Sequence, residues 1–347
     1  MADRPPHIWI LSGGRKGDLD QMVALARAVG WPHEIKHLRF TGPDVPLLSR
    51  MLLRQASAVL TPPWPDLVLC AEATASVIAR QIRQMSAGRS RAVCLGRPAG
   101  STRGFDLVIT TAQYRIPPAD NVVEISMPLA AETGPAPASL RSDGPIAVVI
   151  GGPAFPDRLD AAIARALASD VLAYAAGRGA VLAVLTSPRT PQAVIGALAG
   201  TITAPHELHV LGQGPNRYRE VLAGAPEIVV TSDSVSMVAD ALAACRPVSI
   251  YRLPQDDGLT LRLGEWLHRK AFAPSGAGFA PARWLLDSGL IEAAADRRQL
   301  FTRLVSEQRL GWFGDAPVPP KPEAAQADLL LAVQSLHRLM AAQQAPA

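Results

Sequence analysis

The chain has 347 residues, 48% of them hydrophobic and 18% charged. That is enough apolar side chain for two ordinary cores or one large one, and it excludes a disordered chain. A formal net charge of +4, with no Lys/Arg block, permits contact with phosphates or an anionic surface but supplies no nucleic-acid arm, and no nucleic-acid partner is expected.

The opening MADRPPHIWILSGG holds an apolar run too short, and too soon broken by glycine, for a signal peptide. No stretch approaches the ~20 apolar residues of a membrane span. A cytoplasmic setting is expected, with peripheral contact at the inner face of a membrane left open. HIWILS (7–12) reads as a strand. Residues 18–30 read as a helix whose apolar stripe is Leu19, Met22, Val23, Leu25 and Ala26, ended by Gly30. HEIKHL (33–38) follows as a strand, 46–58 as a helix, DLVLCA (66–71) as a buried strand and 73–86 as a helix. RAVCLG (91–96), FDLVIT (105–110) and NVVEIS (121–126) are three further strands. Apolar runs without clean alternation suit a parallel sheet covered on both faces.

Residues 128–145 turn rich in Pro, Ala, Gly and Ser and read as a linker. The alternation then restarts: strands at 145–152, 179–186, 206–211, 227–232 and 247–251, with helices at 157–176, 190–199 and 234–244. The tail shows helical pieces at 281–309 and 325–341, split by the loop DAPVPPKPE (315–323). The expected architecture is α/β with two Rossmann-like domains, 1–130 and 145–312, a linker at 131–144, and a proline-rich loop and helix at 313–347. The cysteines Cys70, Cys94 and Cys245 form no CxxC and read as buried thiols in a reducing compartment. Trp266, Trp284 and Trp312 read as core side chains in preference to a membrane-facing patch.

Ligands of an open parallel sheet bind beyond the carboxyl ends of its strands, so the residues that follow each strand are the candidates. After the first strand comes SGGRKGD (12–18). Gly13 and Gly14 allow close backbone approach, the following helix points its amides into the loop, and Lys16 adds positive charge. Asp18 is either a helix cap or a base, and Gln21 completes the run GGRKGDLDQ. Glu72 ends another strand, as a base or as an acid at a helix start. In the second half the candidates are Gly151 and Gly152, then Thr186 and Arg189 in TSPRTP, whose guanidinium suits phosphate oxygens. Asn216 follows in GPNRY. Thr231, Ser232, Asp233, Ser234 and Ser236 crowd one strand-to-helix junction, where ordinary capping needs a single hydroxyl. Five suggest donors to one anionic group, most simply a diphosphate. There is no P-loop spacing, no GxGxxG and no GxSxG, and His206 and His209 lack partners for a metal set, so no metal is expected.

The stretches GGRKGDLDQ (13–21), FDLVIT (105–110), IGGP (150–153), TSPRTP (186–191), GPNRY (214–218) and TSDSVSMVADA (231–241) together resemble the mitochondrial fission family, which has many bacterial members. The resemblance implies a glycosyltransferase-like fold of the two-Rossmann GT-B type, with a final helix able to cross back to the first domain. It implies donor diphosphate contacts at Gly151, Gly152, Thr231, Ser232, Ser234 and Ser236, and an acceptor facing the loop 13–18. The expected partners are a nucleoside-diphosphate sugar, bound as substrate and not as a tight cofactor, and an acceptor left unidentified, a membrane- or envelope-linked one included. Asp18 or Glu72 is then the base. The alternative is a non-enzymatic interaction protein at a membrane surface, as the fission phenotype of plant relatives suggests. A sugar-nucleotide epimerase using NAD is disfavoured, because no tyrosine has a lysine four residues on.

Overall fold

The computed structural model describes residues 4–38, 60–129, 144–271, 280–287 and 295–344. The helix expected at 46–58 lies outside them, as does the linker at 131–144 apart from Gly144. By contacts the chain forms two compact units. The first comprises Met1–Ala131, Arg262–Asp296 and Gln326–Ala347, and the second Glu132–Leu261 and Arg297–Ala325.

The first unit runs β1 (Ile8–Ser12), α1 (Lys16–Val29), β2 (His33–His37), β3 (Leu67–Glu72), α2 (Ala73–Met85), β4 (Arg91–Pro98), β5 (Leu107–Thr111) and β6 (Val122–Ile125). Its sheet is parallel with order β2-β1-β3-β4-β5-β6, and β1 meets β3 in the register Ile8↔Leu67. The apolar runs have a simple cause: the central strands β1, β3, β4 and β5 are covered on both faces, while the edge strand β2 is exposed. Ile8, Ile10, Leu67, Leu69, Val93, Leu95, Leu107 and Ile109 pack with Met22 and Leu25 of α1. The alternate residues Trp9, Leu11, Val68, Cys70, Ala92, Cys94 and Val108 pack with Ile78, Ala79 and Ile82 of α2. Cys70 and Cys94 are buried free thiols, as read from their spacing, while Cys245 is half-buried.

The second unit runs β7 (Ile146–Ile150), α3 (Ala161–Ala176), β8 (Leu182–Thr186), α4 (Gln192–Ala199), β9 (Glu207–His209), α5 (Tyr218–Gly224), β10 (Ile228–Thr231), α6 (Val235–Ala243) and β11 (Val248–Tyr251). Its sheet, also parallel, has order β12-β11-β10-β7-β8-β9, where β12 is the short pair Gly311–Trp312. Ile146, Val148, Ile150, Leu182, Val184 and Val229 form its core with Leu167, Ala168 and Val171 of α3 and Val194 and Leu198 of α4. Helix α3 begins later than the apolar pattern suggests, because Asp160 caps it with bonds of 2.9 Å from the Ala162 and Ile163 amides.

The tail holds α7 (Leu259–Ala271), α8 (Ala280–Asp287), α9 (Arg297–Ser306) and α10 (Pro322–Gln344). The single helical piece read at 281–309 is thus two helices. The segment 262–296, placed by the sequence reading in the second domain, groups with the first. The cause is polar: Arg115 grips Glu265 with two bonds of 2.6 and 2.8 Å, and the Asp296 amide donates to the Gln113 carbonyl at 2.8 Å. Helix α10 also returns to the first unit, as the resemblance implied, burying Ala332, Leu336 and Met340 among its strands. The fold is therefore α/β with two Rossmann-like units. Among the described residues no helix is long and apolar enough to cross a membrane.

Candidate functional site

Each sheet reverses its strand order once. In the second unit the reversal lies at β7, which is flanked by β8 on one side and β10 on the other. The crevice at such a point, beyond the carboxyl ends, is where open α/β sheets hold ligands. The loops after β7, β8 and β10 meet there in one polar knot. Thr231 accepts the Gly151 amide at 2.9 Å and donates its own hydroxyl to Asp233 Oδ1 at 2.6 Å. Asp233 Oδ2 accepts the Gly152 amide at 2.8 Å and Arg189 Nη2 at 3.2 Å. The Thr190 hydroxyl donates to the Gly151 carbonyl at 2.5 Å and accepts the Ser187 amide at 2.8 Å.

The two glycines serve this knot sterically. A Cβ on Gly151 would fall 1.9 Å from Asp233 Oδ2, and one on Gly152 would fall 2.2 Å from the Arg189 carbonyl oxygen. Asp233 is buried, and burial pushes its carboxyl up from the ordinary range. The Thr231 hydroxyl, the Gly152 amide and the Arg189 charge pull the other way without cancelling it.

The hydroxyls read as donors to a single anion therefore divide. Thr231 and Asp233 are spent inside the knot, and Ser232 accepts the Leu253 amide at 3.0 Å to hold the chain beyond β11. Thr186 accepts the Leu211 amide at 3.0 Å and so fastens the loop after β9. At the start of α6, Ser234 and Val235 are buried and Ser236 faces outward. Ser234 stands at its N-cap, yet its side chain makes no capping bond; it lies 3.3 Å from the hydroxyl of the exposed Ser236. Arg189 is 46% exposed at the side chain, so its guanidinium reaches solvent while one nitrogen holds Asp233. Asn216 is exposed and accepts the Tyr218 amide at 3.1 Å. Thr190 ties the loop after β8 to that after β7, yet the sequence reading missed it. Its signal was its place in TSPRTP beside Arg189.

In the first unit the order reverses at β1, between β2 and β3. Gly13, Gly14 and Lys16 lie exposed after β1, Gly14 with φ +96°. Lys16 pairs with Asp20 one turn on, which offsets the positive charge it was expected to lend the loop. Arg15, not Asp18, is the N-cap residue of α1, and Asp18 sits in the first turn. Asp18 and Gln21 line an open cleft with Ala71, Gly96, Thr111 and Tyr114 at the carboxyl edge of the sheet. Glu72 closes β3, and its side chain lies outside the described residues. The buried hydroxyls of Thr110 and Thr111, at the end of β5, have no hydrogen-bond partner. Sequence reading missed both, because FDLVIT reads as a strand and not as a strand end. Among the described residues no three His, Cys, Asp or Glu side chains cluster as a metal set.

Two Rossmann-like units, each with polar loops at its switch point, define a two-domain α/β protein. The chain belongs to the mitochondrial fission ELM1 family, whose model matches residues 16–277. No curated protein matches it in sequence. Among solved structures it is similar to MurG of Acinetobacter baumannii, at 13% identity over 98% of this chain and 100% of that one, with a TM-score of 0.42. It is also similar to a glycotransferase of kitacinnamycin, at 13% identity over 97% and 99%, with a TM-score of 0.48. A third is UDP-GlcNAc 2-epimerase of Methanocaldococcus jannaschii in complex with UDP-GlcNAc and UDP, at 9% identity over 94% and 99%, with a TM-score of 0.48.

Proposed function

We propose that this chain is a glycosyltransferase whose second unit takes a nucleoside-diphosphate sugar and whose first unit takes the acceptor. The observation that carries the reading is the knot at the β8-β7-β10 edge, which fixes three loops around the amino end of α6. The first amides of a helix have no partner within it, and their aligned dipoles favour an anion. Ser234, Ser236 and Arg189 add hydroxyl and guanidinium donors beside them.

Transfer breaks the bond between the anomeric carbon and the diphosphate, and negative charge grows on the departing oxygen. Donors already held in place stabilise that charge without reorganising. Arg189 suits the role, since Asp233 fixes one of its nitrogens while the rest of the fork remains for phosphate oxygens. In this reading Gly151, Gly152, Thr231, Ser232, Asp233 and Thr186 hold the loops in shape, and Asn216 borders the donor. Asp18, lining the cleft of the first unit with Gln21, is the base that takes the acceptor proton; Glu72 is the other candidate.

The test is a thermal-shift panel of UDP, GDP, CDP, ADP and NAD. A ligand bound only by the folded state adds about 2.7 kcal/mol at a hundredfold excess over Kd. One nucleoside diphosphate is expected to shift the transition, and Ser234→Ala with Ser236→Ala should abolish that shift. Neither hydroxyl caps α6, so the double variant should stay folded; because Ser234 is buried, its own Tm without nucleotide is the baseline for the shift. A retained shift rejects this donor site. Silence across the panel favours the non-enzymatic membrane-surface protein, and a response to NAD alone favours an NAD-using epimerase.

A further inference from the structure

The sequence reading preferred a core role for the tail tryptophans, and the structure departs from it. Trp266 is 42% exposed and Trp284 62%, while Trp312 is half-buried under Arg252, 4.9 Å from its ring. They do not stand alone. On α7, Leu259 is 84% exposed and Leu263 57%. Leu259, Leu263 and Trp266 are spaced i, i+4, i+7 and so form one ridge along the helix. The neighbouring face of α7, about a quarter turn round, is already occupied: Leu267 and Ala271 are buried with Ala282 and Leu286 of α8. Glu265 is drawn inward by Arg115, and His268 Nε2 lies 3.3 Å from the Arg115 carbonyl oxygen. The helix thus carries two apolar faces, one spent in packing and one turned to water.

We propose that this ridge, with Trp284, docks on an anionic lipid bilayer. The charges around it supply the argument for that occupant. Lys270 follows Trp266 by four residues on the same face, and Arg262 and Arg269 flank it, all exposed; Arg283 is exposed beside Trp284. Among the described residues, the acids on α7, in the turn before it and on α8 are Glu265, turned toward Arg115, Asp256 and Asp257 at the amino end of α7, and Asp287 at the end of α8. The cations therefore gather toward the Trp266 end, where long stems can run along the apolar surface and carry their charges to headgroups. Leu, Trp and basic residues on one exposed helix face suit an interface between water and acyl chains. At 13 residues α7 is too short to span, so it would lie in the plane. A protein partner would need acids placed opposite Arg269 and Lys270, whereas anionic headgroups rearrange to meet them.

This goes beyond the transferase reading and is tested without nucleotide, so either can fail alone. The full chain is floated with vesicles of phosphatidylglycerol and phosphatidylcholine in equal parts, and with phosphatidylcholine alone. Binding to the first, weakening as salt rises, is expected, with a blue shift of tryptophan emission. Leu263→Ser with Trp266→Ser should weaken binding at least about tenfold, the loss expected when even one large apolar contact goes. Because both positions are exposed, the Tm should not move. Trp266→Phe should still bind while losing much of the spectral shift, which places the contact on the ridge. No flotation with the anionic vesicles at low salt overturns the proposal, and so does unchanged binding by the double serine variant. Self-association that the same double variant abolishes would make a second copy the occupant, and would overturn it too.

Discussion

Two carboxylates illustrate how one residue type acquires opposite behaviour from its surroundings. Burial pushes Asp106 up, but Arg83, the Ala92 amide and Arg91 outweigh it and hold the carboxyl below its ordinary value. Asp233 has one half-exposed cation beside it, and burial prevails, so it sits above that value. The signs of linkage then differ. The stability contributed by Asp106 is present above the ordinary carboxylate pKa of about 3.9 and is lost as pH falls through its lower folded value. Asp233 binds its proton more tightly folded than unfolded, so its contribution is full below about 3.9 and is lost as pH rises through its raised folded value. Asp233→Asn should flatten that falling limb, read as Tm against pH, while leaving the acid limb of Asp106 in place. A falling limb that survives the substitution would mean that another group titrates there. The same knot makes Gly152 sensitive. Gly152→Ala drives a Cβ to 2.2 Å from the Arg189 carbonyl oxygen, which belongs to backbone and cannot swing away. A destabilisation of about 3 kcal/mol or more in urea denaturation is expected, the upper end for overpacking. An ordinary surface-sized effect would show that the loop yields.

At the scale of the element, periodicity did most of the reading. Eleven of the twelve strands among the described residues were legible, the central ones as apolar runs because parallel strands covered on both faces need apolar side chains throughout, and the edge strands β2 and β9 by shorter patterns, HEIKH and ELH. The two-residue β12 was not, since Gly311–Trp312 has no run to show. Positions of polar clusters were legible as well: the crowd of hydroxyls does stand where β10 hands over to α6. Their partners were not. Whether Thr231 faces a ligand or Gly151 depends on a strand distant in sequence, and no local pattern records that pairing. The tryptophans failed for a related reason. Helical spacing shows that α7 has apolar stripes, but which stripe is buried depends on what packs against it, and α8 took the other one.

At the scale of the molecule, the tail matters more than its lack of motifs suggested. Helix α10 delivers Ala332, Leu336 and Met340 to the core on the α1 side of the first sheet, which otherwise comes from residues 8–129. It also brings Asp328, whose carboxylate accepts the Ser126 and Met127 amides at 2.8 and 3.2 Å, closing the chain just after β6. The second unit has a core of its own around α3 and α4, without a residue of α10. Leu336→Ala should therefore act on one unit. Leu336 is fully buried, so the cost is about 2–5 kcal/mol, depending on how far the site collapses. Calorimetry should show the melting of the first unit moving down by several degrees. The response to whichever nucleoside diphosphate the wild type binds should persist at temperatures below that transition, because the loops after β7, β8 and β10 belong to the other core. If the substitution instead removes the nucleotide response while the chain is still folded, the two units share their stability, and the donor site cannot be assigned to the second sheet alone.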